Sequence, residues 1–464
     1  MPVSLPPTFD LWSEHDFCTY VSGVIAAAQQ AGCQFLSVGA ALPAIDPLRV
    51  MAALMHASGQ TDHFYIEQPH PGEIVAACGR VAATVATGEQ RFQALQGFSE
   101  QTLNHIWAAA PAEPRVFCQF AFRDAATTAM NRAFLPRWQI IQRQGHAFLT
   151  LNGRLDGLSS SEVSLWQDWQ LLWSTLASVL ETPVSSPPPL AIALPSLAEQ
   201  SQSFIIGVNR ALKLLDEGLL EKLVLACTTT IEHPTGFNWL GTLQNLRQQY
   251  RNCYVFSVGS NWQDVFLGAS PERLVSIGDG LLWADALAGS RPRGQTDHED
   301  QTLRHGLYHS PKERHEHQVI VEFLCQTLDQ MGMTCEFSTE PRILELSNIQ
   351  HLQTLIQARV CQPIHILEIV AALHPTPAVA GYPRATARYW LSHLEQFDRH
   401  GYAAPLGWVT PQGEGEFIVG IRSAHLQGQY AHLFAGAGIV KGSEPEREWQ
   451  EILLKLQAMI SALA

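Results

Sequence analysis

Between residues 222 and 287 the chain breaks into short apolar runs, and their turns constrain the fold more than any other feature. Residues 223–230, 254–258, 265–269, 274–277 and 281–287 read as strands, with Asp279-Gly280 as a hairpin turn signal between the last two. Residues 408–409, 417–424 and 431–436 continue the series with Gly-containing turns. Upstream, 64–67, 116–120 and 147–151 have the aromatic and aliphatic content of further strands. Helical patterns cover about 199–217, 298–331, 385–400 and 444–460. Runs of hairpins interleaved with helices predict an α+β fold with antiparallel sheets. The segment Glu181-Thr182-Pro183-Val184-Ser185-Ser186-Pro187-Pro188-Pro189 cannot continue a helix. It places a boundary near 182–196, dividing the chain into 1–190 and 191–464.

The C-terminal helical pattern carries Glu448, Glu451 and Lys455, and steps of three and four keep these charges on one face. Trp449, Ile452, Leu453 and Leu456 fall on the adjoining face and anchor it to a core. Ser443 and Glu446 have capping-box spacing, and Pro445 is tolerated in a first turn. Just before this helix, Gly436 and Gly438 interrupt an apolar strand where the lack of a Cβ lets a ligand approach the backbone. Acids and a Lys facing a bare peptide ribbon suit a carboxylate held through magnesium, while a solvated helix face is the plainer reading.

A formal net charge of -14 argues against a polyanion-binding surface, so nucleic acid is not an expected partner. Nine cysteines without a CxxC pair read as reduced thiols and show no zinc framework. The start Met1-Pro2-Val3-Ser4-Leu5-Pro6-Pro7 has no basic n-region, and no apolar run is long enough for a membrane span. The expectation is a soluble, cytoplasmic chain.

Lys222 stands at the edge of an apolar strand, where desolvation lowers a lysine's pKa and makes it a candidate base. Glu272 follows a strand and the turn Ser270-Pro271, where partial burial would raise its pKa and make it an acid. A solvated lysine and a plain turn glutamate are the alternatives; pairing the two gives each its weight. His315-Glu316-His317 lacks the HExxH spacing, so Glu316 fits a hard-cation carboxylate together with Glu451 better than a zinc site. Arg422 lies in the otherwise apolar run Phe417-Ile418-Val419-Gly420-Ile421 and needs an acidic partner or an anionic ligand. Gly436-x-Gly438 continues neither as GxGxxG nor as a P-loop.

Together, Glu221-Lys222-Leu223-Val224-Leu225-Ala226, Leu267-Gly268-Ala269-Ser270-Pro271-Glu272, Leu287-Ala288-Gly289-Ser290-Arg291-Pro292-Arg293-Gly294, Lys312-Glu313-Arg314-His315-Glu316-His317, His374-Pro375-Thr376-Pro377-Ala378-Val379, Ile421-Arg422 and residues 434–455 resemble the chorismate-utilising enzymes, most closely the isochorismate synthases. Weaker likeness extends upstream to about residue 60.

The resemblance implies the anthranilate synthase component I-like fold, with large antiparallel sheets packed together, helices outside and strands from both chain halves. It also implies a reversible, magnesium-dependent isomerase reaction (a hydroxymutase) that adds water at C2 of chorismate and expels the C4 hydroxyl. Lys222 then matches the residue that activates water, and Glu272 the acid for the leaving hydroxyl. Glu316 and Glu451 match direct magnesium ligands, and Glu448 one acting through water. Arg422, Lys455 and the backbone of Gly436, Ala437 and Gly438 match groups holding substrate carboxylates. Gly289, Ala378, Val379, Ile421 and Phe434 match positions lining the ring pocket.

Ala288 stands where aminodeoxychorismate synthases carry a lysine, and anthranilate synthases usually lack the lysine matching Lys222, so water is the expected nucleophile. Salicylate synthase is the enzymatic alternative, and a non-catalytic chorismate-binding protein the non-enzymatic one. Cys227, where the family often has Arg, departs from the pattern. A monomer acting on this small molecule is expected.

Overall fold

Asp279 and Gly280 take φ values of 54° and 73° and turn the strand Arg273–Gly278 into Leu281–Pro292. Positive φ at both central residues lets a two-residue hairpin match the right-handed twist of its strands. The computed structural model describes residues 14–42, 44–69, 72–124, 130–155, 158–181 and 197–464. The boundary read at 182–196 lies outside the described residues.

The strands form a 12-stranded and a 10-stranded sheet, antiparallel among the described residues except where Phe35–Leu42 pairs with Ile106–Ala109. Strands from before residue 182 and after residue 196 enter both sheets. His63–Glu67 pairs with Tyr254–Asn261 in the larger sheet, and Val116–Gln119 pairs with Pro405–Val409 in the smaller. Phe64, Phe256 and Phe266 from one sheet meet Phe117, Phe134 and Ile418 from the other in a buried cluster. The rings of Phe64 and Phe117 lie 4.8 Å apart. Burying each such ring contributes on the order of 2 kcal/mol, so this layer fixes the two sheets face to face. The helix Pro311–Gln330 packs on Leu281–Pro292, and Pro445–Leu463 packs on Tyr430–Ile439.

Four local expectations need correction. The helical pattern over 298–331 is two helices, Asp297–Tyr308 and Pro311–Gln330. Ser310 caps the second by accepting the Glu313 N–H, and Pro311, with no N–H to lose, occupies its first turn. The pattern over 385–400 stops at Leu394, beyond which Glu395 and Arg399 form a buried ion pair. The run 417–424 is two strands in different sheets, Gly415–Val419 pairing with Arg273–Gly278 and Ser423–Gln427 with Asp264–Ser270. Arg422 is therefore at the crossing, with φ 51°, rather than inside a strand. The Ser443–Glu446 capping box does not form either. Glu444 is the cap residue, and the Ser443 hydroxyl accepts the Val440 N–H instead. Among the described residues no helix is long and apolar enough to cross a membrane.

Candidate active site

Four chain segments converge at one edge of the larger sheet. Lys222–Glu232 pairs with Tyr430–Ile439 so that Val224 lies opposite Gly438 and Ala226 opposite Gly436. The N-terminal half of Pro311–Gln330 brings Glu316 over this ribbon, and the first turns of Pro445–Leu463 bring Glu448 and Glu451. An added Cβ on Gly438 would run into Glu316 Oε1 and sit 3.1 Å from Lys222 Cε. The glycine is the space into which the carboxylate fits.

The convergence lines a cleft of about 650 Å³, solvent included. Of the residues expected here from the sequence, Glu272, Gly289, Glu316, Ala378, Val379, Ile421, Arg422, Phe434, Gly436, Gly438, Glu451 and Lys455 line it. Three do not. Lys222, 1% exposed, lies behind Gly438 and reaches Glu316 Oε1 with Nζ at 2.9 Å. Glu448 is buried against Lys312 Nζ at 2.7 Å. Ala437, on the strand between two glycines, is fully buried in the core, because alternate residues of a strand face opposite ways. The sequence expectation for Ala437 concerns its backbone, which pairs with Leu225.

Glu272 follows the strand Asp264–Ser270, where the Ser270 hydroxyl accepts the Glu272 N–H. Burial pushes its carboxyl up to about 8, against the pull of Lys222, and the Asp285 carboxylate adds to the rise. At neutral pH it carries a proton it can give away. Glu451 shows the opposite balance. Burial alone would raise it, yet Lys455, with Nζ 2.5 Å from Oε1, holds it down to about 2. Lys455 also donates to the Gly436 carbonyl at 2.7 Å. Burial, and then the Glu451 charge, raise the Glu448 carboxyl.

Sequence reasoning missed several neighbours. Glu313, one turn before Glu316, is pushed up to about 7 by burial and by the Glu316 charge, and its carboxylate accepts the Ser290 N–H at 3.3 Å. The spacing Glu313-x-x-Glu316 repeats that of Glu448-x-x-Glu451, a signal present in the sequence. Gly289, with φ 72°, forms a bulge against Glu313, whose Oε2 would lie 3.3 Å from an added Cβ. His351 accepts from the Arg422 guanidinium at 3.0 Å through Nε2, which leaves the proton on Nδ1, 3.1 Å from the Gly289 carbonyl. Burial and the Arg422 charge lower the imidazole to about 3, so it is neutral. Tyr402 stacks on Phe434 with ring centroids 5.3 Å apart. Nothing local in the sequence around Tyr402 or His351 announces either contact.

The donor set fits a hard dication. Four carboxylates, Glu313, Glu316, Glu448 and Glu451, face one another from two helices, close enough for their charges to perturb each other. Carboxylate oxygens are the ligands magnesium takes. His351, the imidazole beside them, is engaged with Arg422, and among the described residues no three His, Cys, Asp or Glu side chains are grouped closely enough to hold a metal ion in this arrangement. Lys222, Lys312 and Lys455 are ion-paired to Glu316, Glu448 and Glu451.

Comparison with known proteins agrees in extent. The chorismate binding enzyme family model matches residues 23–464. The salicylate biosynthesis isochorismate synthase of Pseudomonas aeruginosa is 34% identical over 427 residues, 90% of this chain and 88% of that protein. The solved menaquinone-specific isochorismate synthase from Escherichia coli superposes with a TM-score of 0.77 at 28% identity, covering 96% of this chain and 100% of that one. Anthranilate synthase component I from Streptococcus pneumoniae, at 19% identity and a TM-score of 0.60 over 92% of each chain, shares the fold.

Proposed function

Because this chain belongs to the chorismate-binding enzyme family, we propose that it is an isochorismate synthase, a hydroxymutase that adds water at C2 of chorismate while the C4 hydroxyl leaves. The observation carrying this reading is a pair of buried groups of complementary chemistry: the Glu272 carboxyl, pushed up to about 8 and lining the cleft, and Lys222, buried behind Gly438 with Nζ 2.9 Å from Glu316. An acid and a base with separated environments are what a reversible exchange of hydroxyls needs.

In the forward direction Lys222 Nζ takes the proton of the attacking water, and Glu272 protonates the departing hydroxyl. One water enters and one leaves, so the reaction is an isomerisation. Arg422, held by His351, and Lys455, held by Gly436 and Glu451, supply the cationic groups for the substrate's carboxylates. Magnesium held by Glu316 and Glu451, with Glu448 acting through water, would supply positive charge for a substrate carboxylate. Ala288, at the position where relatives that add ammonia carry a lysine, lines the cleft.

Incubating the purified protein with chorismate and magnesium and separating the products tests the reading. Isochorismate is expected. Salicylate with pyruvate, anthranilate in the presence of ammonium, or unchanged chorismate would each replace it.

A further inference from the structure

The chain has only five lysines in 464 residues, and three of them are ion-paired to carboxylates of one cluster. Lys222 Nζ lies 2.9 Å from Glu316, Lys312 Nζ 2.7 Å from Glu448 and Lys455 Nζ 2.5 Å from Glu451. The other two, Lys213 and Lys441, are exposed elsewhere. Lysines this scarce and this concentrated are part of the site's electrostatics, not of its solvation.

We propose that divalent-cation uptake and release of the base are one event: a cation binding Glu316 and Glu451 displaces the Lys222 ammonium from Glu316, while Lys312 keeps its hold on Glu448. This rests on the functional reading above, in which Lys222 is the base.

The argument is one of space and charge. Lys222 already holds Glu316 Oε1, the oxygen packed into the space that Gly438 leaves open, so a dication that takes Glu316 as a ligand meets the ammonium at that carboxylate. A dication and an ammonium at one carboxylate repel each other strongly, and the more so the less water lies between them. The singly charged, flexible ammonium gives way.

Lys312 is placed differently. Its partner Glu448 does not line the cleft, is 2% exposed, and is held further by the Ser443 hydroxyl. Lys312 is thereby a positioning residue: it holds Glu448, the carboxylate that would act on the cation through water, back from the cleft. The consequence is order. Without the cation, Lys222 is tied to Glu316, and with it the Lys222 side chain is free of that carboxylate and can turn to the attacking water.

The small number of lysines makes the test direct. Protein labelled with ¹⁵N at the lysine side-chain nitrogen gives five signals, assigned by their loss in Lys222→Met, Lys312→Met and Lys455→Met, or in the Lys→Arg variants where Met prevents folding. Magnesium chloride is titrated in without substrate, and calorimetry on the same samples defines saturation. The expected result is a shift or exchange broadening of the Lys222 signal, with those of Lys312, Lys213 and Lys441 unmoved. Lys222→Met should also bind magnesium about tenfold more tightly or better, since removing one partner of a buried pair leaves the other charge uncompensated.

An unmoved Lys222 signal at saturation, a displaced Lys312, or no magnesium binding at all would overturn the proposal. Product analysis is independent of these readouts: a protein that makes isochorismate with an unmoved Lys222 refutes the coupling and leaves the functional reading standing.

Discussion

Gly438 and Glu316 occupy one place: the carboxylate of Glu316 fills the position a Gly438 side chain would take. Strand and helix are fitted at this point without slack. Gly438→Ala should therefore push Glu316 aside while the sheet pairing of Tyr430–Ile439 survives. The expected loss in kcat/KM is about 10²-fold, the scale of a misplacement near 1 Å, with weaker magnesium binding by calorimetry and an unchanged circular dichroism spectrum. Wild-type metal affinity in this variant would contradict the geometry.

The raised Glu272 pKa fixes the sign of two pH effects. As the acid in the forward reaction it must be protonated, so kcat/KM for chorismate should fall as pH rises through about 8. Its ordinary value is 4.5, so the folded state holds a proton there that the unfolded chain loses. The stability contributed by neutral Glu272 is full below about 4.5 and is lost as pH rises through about 8. Glu272→Gln, which keeps a neutral side chain, should gain on wild type in urea-melt stability across that window. Parallel stability curves for the two proteins from pH 5 to 9 would remove the burial argument.

Lys222→Ala and Glu272→Ala should each slow turnover by roughly 10²–10⁴-fold, in both directions, since microscopic reversibility exchanges their roles. The double variant should lose less than the product of the two single losses, because either half of the pair is of little use alone. Calorimetry should still detect chorismate binding in the presence of magnesium. Either single variant turning over at the wild-type rate would take that residue out of the reaction.

Glu451→Gln removes the carboxylate that Lys455 holds down to about 2 and that pairs with Glu316 for the cation. Activity should disappear while the circular dichroism spectrum shows the fold kept, with some loss of melting temperature because Lys455 is left unpaired, and chelation of the wild-type protein should likewise abolish activity until magnesium is restored. Full activity of Glu451→Gln after chelation and dialysis would show that no metal is needed.

Much of this site was legible in the sequence because its chemistry is carried by spacing. Glu448, Glu451 and Lys455 share a helix face at steps of three and four, and Gly436-x-Gly438 marks a bare stretch of strand. The hairpin at Asp279-Gly280 was equally plain, its turn type requiring those residues. What the sequence hid depends on contacts between distant segments. His351 meets Arg422 across 71 residues, and Tyr402 stacks on Phe434 from a loop. The run 417–424 has one continuous apolar pattern, yet the chain changes sheets at Arg422, because its two ends find different partners. The Ala437 side chain turns to the core between its glycine neighbours, as strand alternation requires.

Water labelled with ¹⁸O tests the central claim most directly, for it asks where the new hydroxyl comes from. With chorismate, magnesium and H₂¹⁸O, mass spectrometry of the product, stopped before the reverse reaction scrambles the label, should find one ¹⁸O in isochorismate, located at the C2 hydroxyl, and none in Lys222→Ala above background. Isochorismate without label, or a product lacking the pyruvyl group, would contradict water activation by Lys222 and acid assistance by Glu272 as the chemistry of this cleft.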